Sequence, residues 1–224
     1  MKTSFLAVIF GATLAASPLS AQNADILLNC SDCHAVAPAA PVAGAPRPRL
    51  SPYPDLNGQP ARYLERQLYA YAEGLRLHQQ MQTTATMLGD GDAAMARLYS
   101  DAPAPELQQR QVVDGLTDAI TLIEEGDWSR GLPSCASCHS LDPAERGRLA
   151  PRLHGQPSTY LAYQLRAYAD GTRRSDTMGR MRAFAGQLSS EEISQLAAYY
   201  AAWAPSTSPV NETDETPTGG LEND

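Results

Sequence analysis

Cys30-Ser31-Asp32-Cys33-His34 and Cys135-Ala136-Ser137-Cys138-His139 hold all four cysteines of the chain and two of its four histidines. Two thiols three residues apart, with an imidazole directly after them, form the attachment pattern of c-type haem. The spacing lets both sulfurs add to the vinyl groups of one porphyrin while the adjacent imidazole is held beneath the iron as proximal ligand. Cys30, Cys33, Cys135 and Cys138 are thereby assigned to covalent attachment, and His34 and His139 to iron. The cofactor expected is a pair of covalently bound haem c groups. Other readings fit less well. A zinc ribbon keeps its two C-x-x-C pairs about 15–20 residues apart, and a thioredoxin-like pair needs a βαβ context.

Each motif is followed by a copy of the same segment. Pro54-Asp55-Leu56-Asn57-Gly58-Gln59-Pro60 matches Pro151-Arg152-Leu153-His154-Gly155-Gln156-Pro157, an offset of 97. At the same offset Tyr63, Leu64, Gln67, Leu68, Tyr71 and Gly74 fall on Tyr160, Leu161, Gln164, Leu165, Tyr168 and Gly171. Identities at helical spacing, with Pro60 and Pro157 at the start and Gly74 and Gly171 at the stop, predict one helix of about four turns per copy.

An iron that shuttles electrons without binding substrate needs a second axial ligand. Met81 and Met181 answer to each other at an offset of 100, each with Ala four residues on (Ala85, Ala185) and Leu seven on (Leu88, Leu188). They are the expected distal ligands. Tyr99 matches Tyr199 at that offset. Met is also common core filler, so Met87 competes with Met81 and Met178 with Met181. His78, three residues before Met81, offers bis-His ligation instead, and His154 is a further spare imidazole.

Ser189 as N-cap, Glu191-Glu192 in the first turn, and Ile193, Leu196, Ala197 and Tyr200 on one stripe predict a packing helix over 189–203. Residues 24–34 and 116–126 read as helices leading towards the haem motifs. No run of alternating β-branched residues points to a substantial sheet, so the fold class expected is all-α.

The formal charge is −8, and the acidic residues Glu212, Asp214, Glu215, Glu222 and Asp224 near the C-terminus have no base beside them. With no Lys/Arg cluster to displace counterions, nucleic acid is excluded as a partner. Lys2, the only lysine, precedes an apolar run over 5–16 and small residues over 17–21, which reads as a secretory signal peptide. The alternative is a membrane anchor that stays attached. The expected division is a signal peptide over 1–21, a first domain over 22–103, a linker and second domain over 104–204, and an acidic solvated tail over 205–224.

These motifs, with Gly126-Asp127-Trp128-Ser129-Arg130-Gly131-Leu132-Pro133-Ser134-Cys135 before the second one, resemble the cytochrome c4 family. The likeness covers about residues 24–203. It implies two tandem class I cytochrome c domains, each wrapped around one His/Met-ligated haem, in the bacterial periplasm. It also implies that the carbonyls of Pro54 and Pro151 accept from His34 and His139. The chain departs from the pattern at Ala35 and Ser140, where Gly usually follows the haem motif, in the Pro/Ala-rich stretch 38–54, and at Leu88-Gly89-Asp90-Gly91-Asp92. The expected role is that of a non-enzymatic one-electron carrier. Its donor would be a quinol-oxidising complex or dehydrogenase and its acceptor a terminal oxidase, with no small-molecule substrate. A tightly bound dihaem subunit of a flavin- or quinone-dependent dehydrogenase, such as a sulfide-oxidising flavocytochrome c, is the alternative. A dihaem peroxidase would need an open axial site, against which the matched methionines argue.

Overall fold

The computed structural model describes residues 28, 30–34, 53–109, 115–143 and 149–205. The expected signal peptide, residues 24–27 and 29 of the leading helix 24–34, the stretch 38–52 and the tail from 206 lie outside the described residues. The first copy contains α1 (Cys30–His34), α2 (Ala61–Ala72), α3 (Gln79–Leu88) and α4 (Asp92–Asp101). A strand, β1 (Leu107–Gln109), then leads to the second copy: α5 (Thr117–Glu124), β2 (Gly126–Asp127), β3 (Leu132–Pro133), α6 (Ala136–His139), α7 (Ser158–Ala169), α8 (Arg180–Ala185), α9 (Ser190–Ala201) and β4 (Trp203–Pro205). Among the described residues the strands form two short antiparallel pairs, β1 with β4 and β2 with β3. The fold is all-α, as expected.

α2 and α7 are the repeated helix. Each starts directly after its proline, whose φ of −58° at Pro60 and −59° at Pro157 lies in the range the ring fixes. Each ends before a glycine in the left-handed region, Gly74 and Gly171. α2 packs on α3 and α4, and α7 packs on α8 and α9, so the copies share one arrangement. Tyr63, Leu64, Met95, Ala96 and Tyr99 form the first core, and Leu122, Ile123, Leu132, Leu161, Ile193 and Leu196 lie in the second. The last helix starts with a full capping box. Ser189 Oγ accepts from the Glu192 N–H at 3.1 Å, and Glu192 Oε2 accepts from the Ser189 N–H at 2.7 Å.

The offset between copies changes where the sequence placed the change. The second copy carries an extra 3-10 turn, Thr177–Gly179, before α8, with Met178 at φ 57°. Ala85 and Ala185 are both buried, which supports the offset of 100 up to that point. It does not hold as far as Tyr99. The residue equivalent to Tyr99 is Tyr200, not Tyr199: the Gly58 N–H donates to Tyr99 O and the Gly155 N–H to Tyr200 O, both at 2.9 Å. Both rings are buried. A further residue thus enters before α9.

The halves meet across a pseudo-twofold axis. Gln59 Nε2 donates to Arg152 O at 2.9 Å while Gln156 Nε2 donates to Asp55 O at 2.7 Å, the same contact made twice in opposite senses. On the axis itself the copies have diverged, and Arg152 stands 3.9 Å from Asp55 as an ion pair. Arg76 donates to Gln67 of its own half at 3.0 Å, and to Gln164 at 3.0 Å and Tyr160 at 2.9 Å of the other. Arg173 mirrors it, donating to Gln164 at 2.7 Å, and across to Gln67 at 2.8 Å and Tyr63 at 3.3 Å. Each guanidinium also lies over a tyrosine ring, Arg76 over Tyr71 and Arg173 over Tyr168.

Candidate haem sites

His34 and His139 are buried at the ends of α1 and α6, and Cys30 and Cys135 lie one helical turn before them. One turn brings a C-x-x-C pair and the following imidazole to the same side of the chain. The second motif is fixed from α5: the Cys135 N–H donates to Leu122 O at 3.3 Å and Ser134 Oγ to Ile123 O at 2.7 Å. Arg130 clamps the turn before it, reaching Asp127 and Glu192 at 2.7 Å each. Arg130 and the Ser189 backbone N–H hold the Glu192 carboxyl below its ordinary range.

Each motif imidazole makes the bond implied by the resemblance. His34 Nδ1 lies 2.9 Å from Pro54 O, and His139 Nδ1 lies 2.9 Å from Pro151 O. A carbonyl can only accept, so Nδ1 carries the proton and the ring lone pair sits on Nε2, the tautomer a metal ligand needs. Burial pushes the His34 pKa down, the Pro54 carbonyl opposes that, and the nearby charges of Arg76 and His78 push it further down.

Met81 is the third residue of α3 and Met181 the second of α8, both half-buried. Met87 is 69% exposed, and Met178 is 84% exposed on its left-handed turn. His78 is the N-cap of α3, its Nδ1 accepting from the Met81 N–H at 3.4 Å. His154 is buried, edge-on to Tyr200 and Trp203 with centroids 4.9 Å from each, a core position.

The residues fit haem. No disulfide joins the four cysteines, and apolar side chains stand exposed in or beside α3 and the turn before α8, including Leu77, Met87 and Met178. Arg76 and Arg173 are each 4% exposed, and among the described residues neither has a carboxylate partner. Arg76 Nε has no hydrogen-bond partner there either. Two buried guanidiniums without counter-charge suit a cofactor that carries carboxylates. Sequence reasoning gave neither arginine a role, nor the glutamines Gln59, Gln67, Gln156 and Gln164. Extending the repeat two residues past Gly74 and Gly171 would have found the arginines, which also stand 97 residues apart.

Among the described residues, no helix is long and apolar enough to cross a membrane. The family model for subunit III of cbb3-type cytochrome c oxidase matches residues 128–199. The chain is 32% identical over 176 residues to a thiosulfate dehydrogenase electron acceptor of Stutzerimonas stutzeri, covering 77% of each chain. It is 31% identical to a cytochrome c4 of Pseudomonas aeruginosa, over 76% of this chain and 81% of that one. Among solved structures, the thiosulfate dehydrogenase TsdBA of Marichromatium purpuratum superposes with a TM-score of 0.65 at 31% identity, over 89% of this chain but 43% of that longer one. The reduced cytochrome c4 of Pseudomonas stutzeri gives a TM-score of 0.65 at 25% identity, over 83% of this chain and 99% of that one. The duplicated helical unit, its paired haem motifs and these likenesses agree, and the chain belongs to the cytochrome c4 family of dihaem c-type cytochromes, with covalently bound haem c as its cofactor.

Proposed function

We propose that the chain is a periplasmic electron acceptor for a thiosulfate-oxidising dehydrogenase, and that it passes single electrons on to a terminal oxidase. Carrying this reading is the pair of equivalent buried imidazoles, each locked by a proline carbonyl at 2.9 Å, in halves that interlock. Such a unit presents two one-electron sites to a donor that releases electrons in pairs. Relatives named thiosulfate dehydrogenase electron acceptors, from Stutzerimonas stutzeri and Thiomonas intermedia, support the choice of donor.

In this reading Cys30, Cys33, Cys135 and Cys138 staple two porphyrins, His34 and His139 are proximal ligands, and Met81 and Met181 are distal. Held by these residues, haem would supply one-electron chemistry, at a potential that the imidazole and thioether donors would raise. The chain orients the imidazoles, buries them and keeps water away; it makes and breaks no substrate bond. His78 is turned to the N–H of Met81 as a helix cap, which favours Met81. The first domain spans 22–103, and a linker with the second domain spans 104–204.

The test is stopped-flow mixing of the oxidised protein with a thiosulfate dehydrogenase and thiosulfate. Reduction by two electrons per chain, slowing as salt rises, is the expected outcome. No reduction there, with rapid reduction by a quinol-oxidising complex, would replace the donor. A second reading, a tight dehydrogenase subunit, is favoured by the longer chain of the Marichromatium protein, of which this chain matches 43%. Co-purification with a dehydrogenase at high salt would select it.

A further inference from the structure

Each proximal imidazole is connected to the opposite half of the molecule through a single peptide group. His34 donates to the Pro54 carbonyl, and the N–H of that same peptide, carried by Asp55, donates to Gln156 Oε1 at 2.9 Å. His139 donates to the Pro151 carbonyl, and the N–H of that peptide, carried by Arg152, donates to Gln59 Oε1 at 2.8 Å. Both glutamines are 3% exposed, so water does not compete for these bonds. Each amide is also fixed by its Nε2, which donates to the carbonyl of the residue it has just accepted from, Asp55 or Arg152. That second bond sets which end of the amide faces the N–H, so Oε1 and not Nε2 meets it.

Hydrogen bonds in series polarise one another. When the N–H of a peptide donates, its carbonyl oxygen gains negative charge and accepts more strongly. A stronger acceptor at Nδ1–H makes the imidazole a better donor at Nε2, which favours ferric iron over ferrous. The glutamine contacts are crossed: the residue that acts on His34 lies in the second copy, and the residue that acts on His139 lies in the first.

We propose that Gln59 and Gln156 are positioning residues that set the reduction potential of the opposite half's haem, Gln156 through the Pro54–Asp55 peptide to His34 and Gln59 through the Pro151–Arg152 peptide to His139. The proposal rests on the reading of His34 and His139 as proximal ligands. It makes the interface part of the redox apparatus. Opening the interface raises both potentials, and altering one glutamine raises one.

The experiment is a redox titration of the fully haem-loaded chain, with the two haems followed separately by their methyl resonances. Gln156→Met keeps the length of the side chain and removes both of its bonds. It should lower the ferric-to-ferrous ratio of the haem attached at Cys30 and Cys33 about threefold at a fixed applied potential, roughly 30 mV upward for a one-electron couple. The haem at Cys135 and Cys138 should hardly move. Gln59→Met should do the reverse. Gln156→Glu accepts from the Asp55 N–H with a full charge and should move the first haem downward. A purely structural role would shift both haems together, and in the same direction for Met and Glu. That pattern, a shift confined to the haem of the altered half, or unmoved potentials would overturn the proposal. If Gln156→Met loads haem incompletely, the sign of the Gln156→Glu shift decides. Failure of the ligand reading looks different: the unaltered protein would lack hyperfine-shifted ring protons from His34 and His139.

Discussion

Four glycines of the repeat share a left-handed backbone but differ in what surrounds them, and this makes a controlled experiment. Gly74 has φ 65° and Gly171 φ 76°, and a methyl group at either would meet nothing within 4 Å. Gly58 has nearly the same φ, 67°, but a Cβ there would lie 2.5 Å from Ala104 Cβ, 3.0 Å from Ala104 Cα and 3.1 Å from Ala104 N. Gly155, φ 80°, would meet the tip of Leu107 at 3.1 and 3.3 Å and, at the ordinary contact distance of 3.6 Å, Trp203 O. Alanine at any of the four costs about 1–2 kcal/mol for the left-handed conformation, offset by about 0.4–1 kcal/mol from a stiffer unfolded chain. Only at Gly58 does the new methyl press on backbone, which adds about 1–3 kcal/mol of overpacking. The expected order of stability is therefore Gly74→Ala and Gly171→Ala highest, then Gly155→Ala, and Gly58→Ala lowest. The gap between Gly74→Ala and Gly58→Ala should be about 2 kcal/mol, roughly 4–8 °C in Tm for a chain of this size. Thermal unfolding followed by far-UV circular dichroism measures it. Equal losses at Gly58 and Gly74 would refute the close approach of the P-x-L-x-G-Q turn to the segment after α4.

Three further expectations are independent of that one. Ser189→Ala removes half of the capping box on α9 and should cost about 1 kcal/mol in a denaturant titration. Glu192 has its pKa lowered by Arg130, so its contribution is whole above the ordinary value of 4.5 and is lost as pH falls through the lowered folded value. Glu192→Gln should lower stability at neutral pH and flatten the acid limb of the stability curve; an unchanged acid limb would count against the ion pair. Met81→Ala and Met181→Ala should each halve the sulfur-to-iron charge-transfer absorbance. An undiminished band in Met81→Ala would turn attention to Met87, and a band already at half strength in the unaltered chain would point to His78.

Much of the site was legible because covalent haem chemistry is local. Five residues carry two thiols and an imidazole in one helical turn, and no tertiary contact is needed to recognise them. The helix after each P-x-L-x-G-Q turn was legible for a similar reason, since Pro and Gly act through their own φ. What failed was register over distance. Tyr99 was matched to Tyr199 because both fall at an offset of 100, yet the shared hydrogen bond pairs Tyr99 with Tyr200. Periodicity cannot show where an extra residue enters a connecting turn. The interface was not legible at all. Gln59, Gln67, Arg76 and their counterparts are polar, so no apolar pattern marks them as buried, and they are buried or half-buried where each half bonds to the other.

That mutual satisfaction has the form of an isologous contact: residue i of one half touches j of the other, and j touches i. Two separate copies of such a module would meet this way only at sufficient protein concentration. Tethered in one polypeptide they meet at a local concentration fixed by the connecting segment, and dilution cannot part them. Tethering also frees the halves from identity, which a symmetric homodimer never is. Asp can therefore face Arg on the axis, and each iron can drift towards its own working potential.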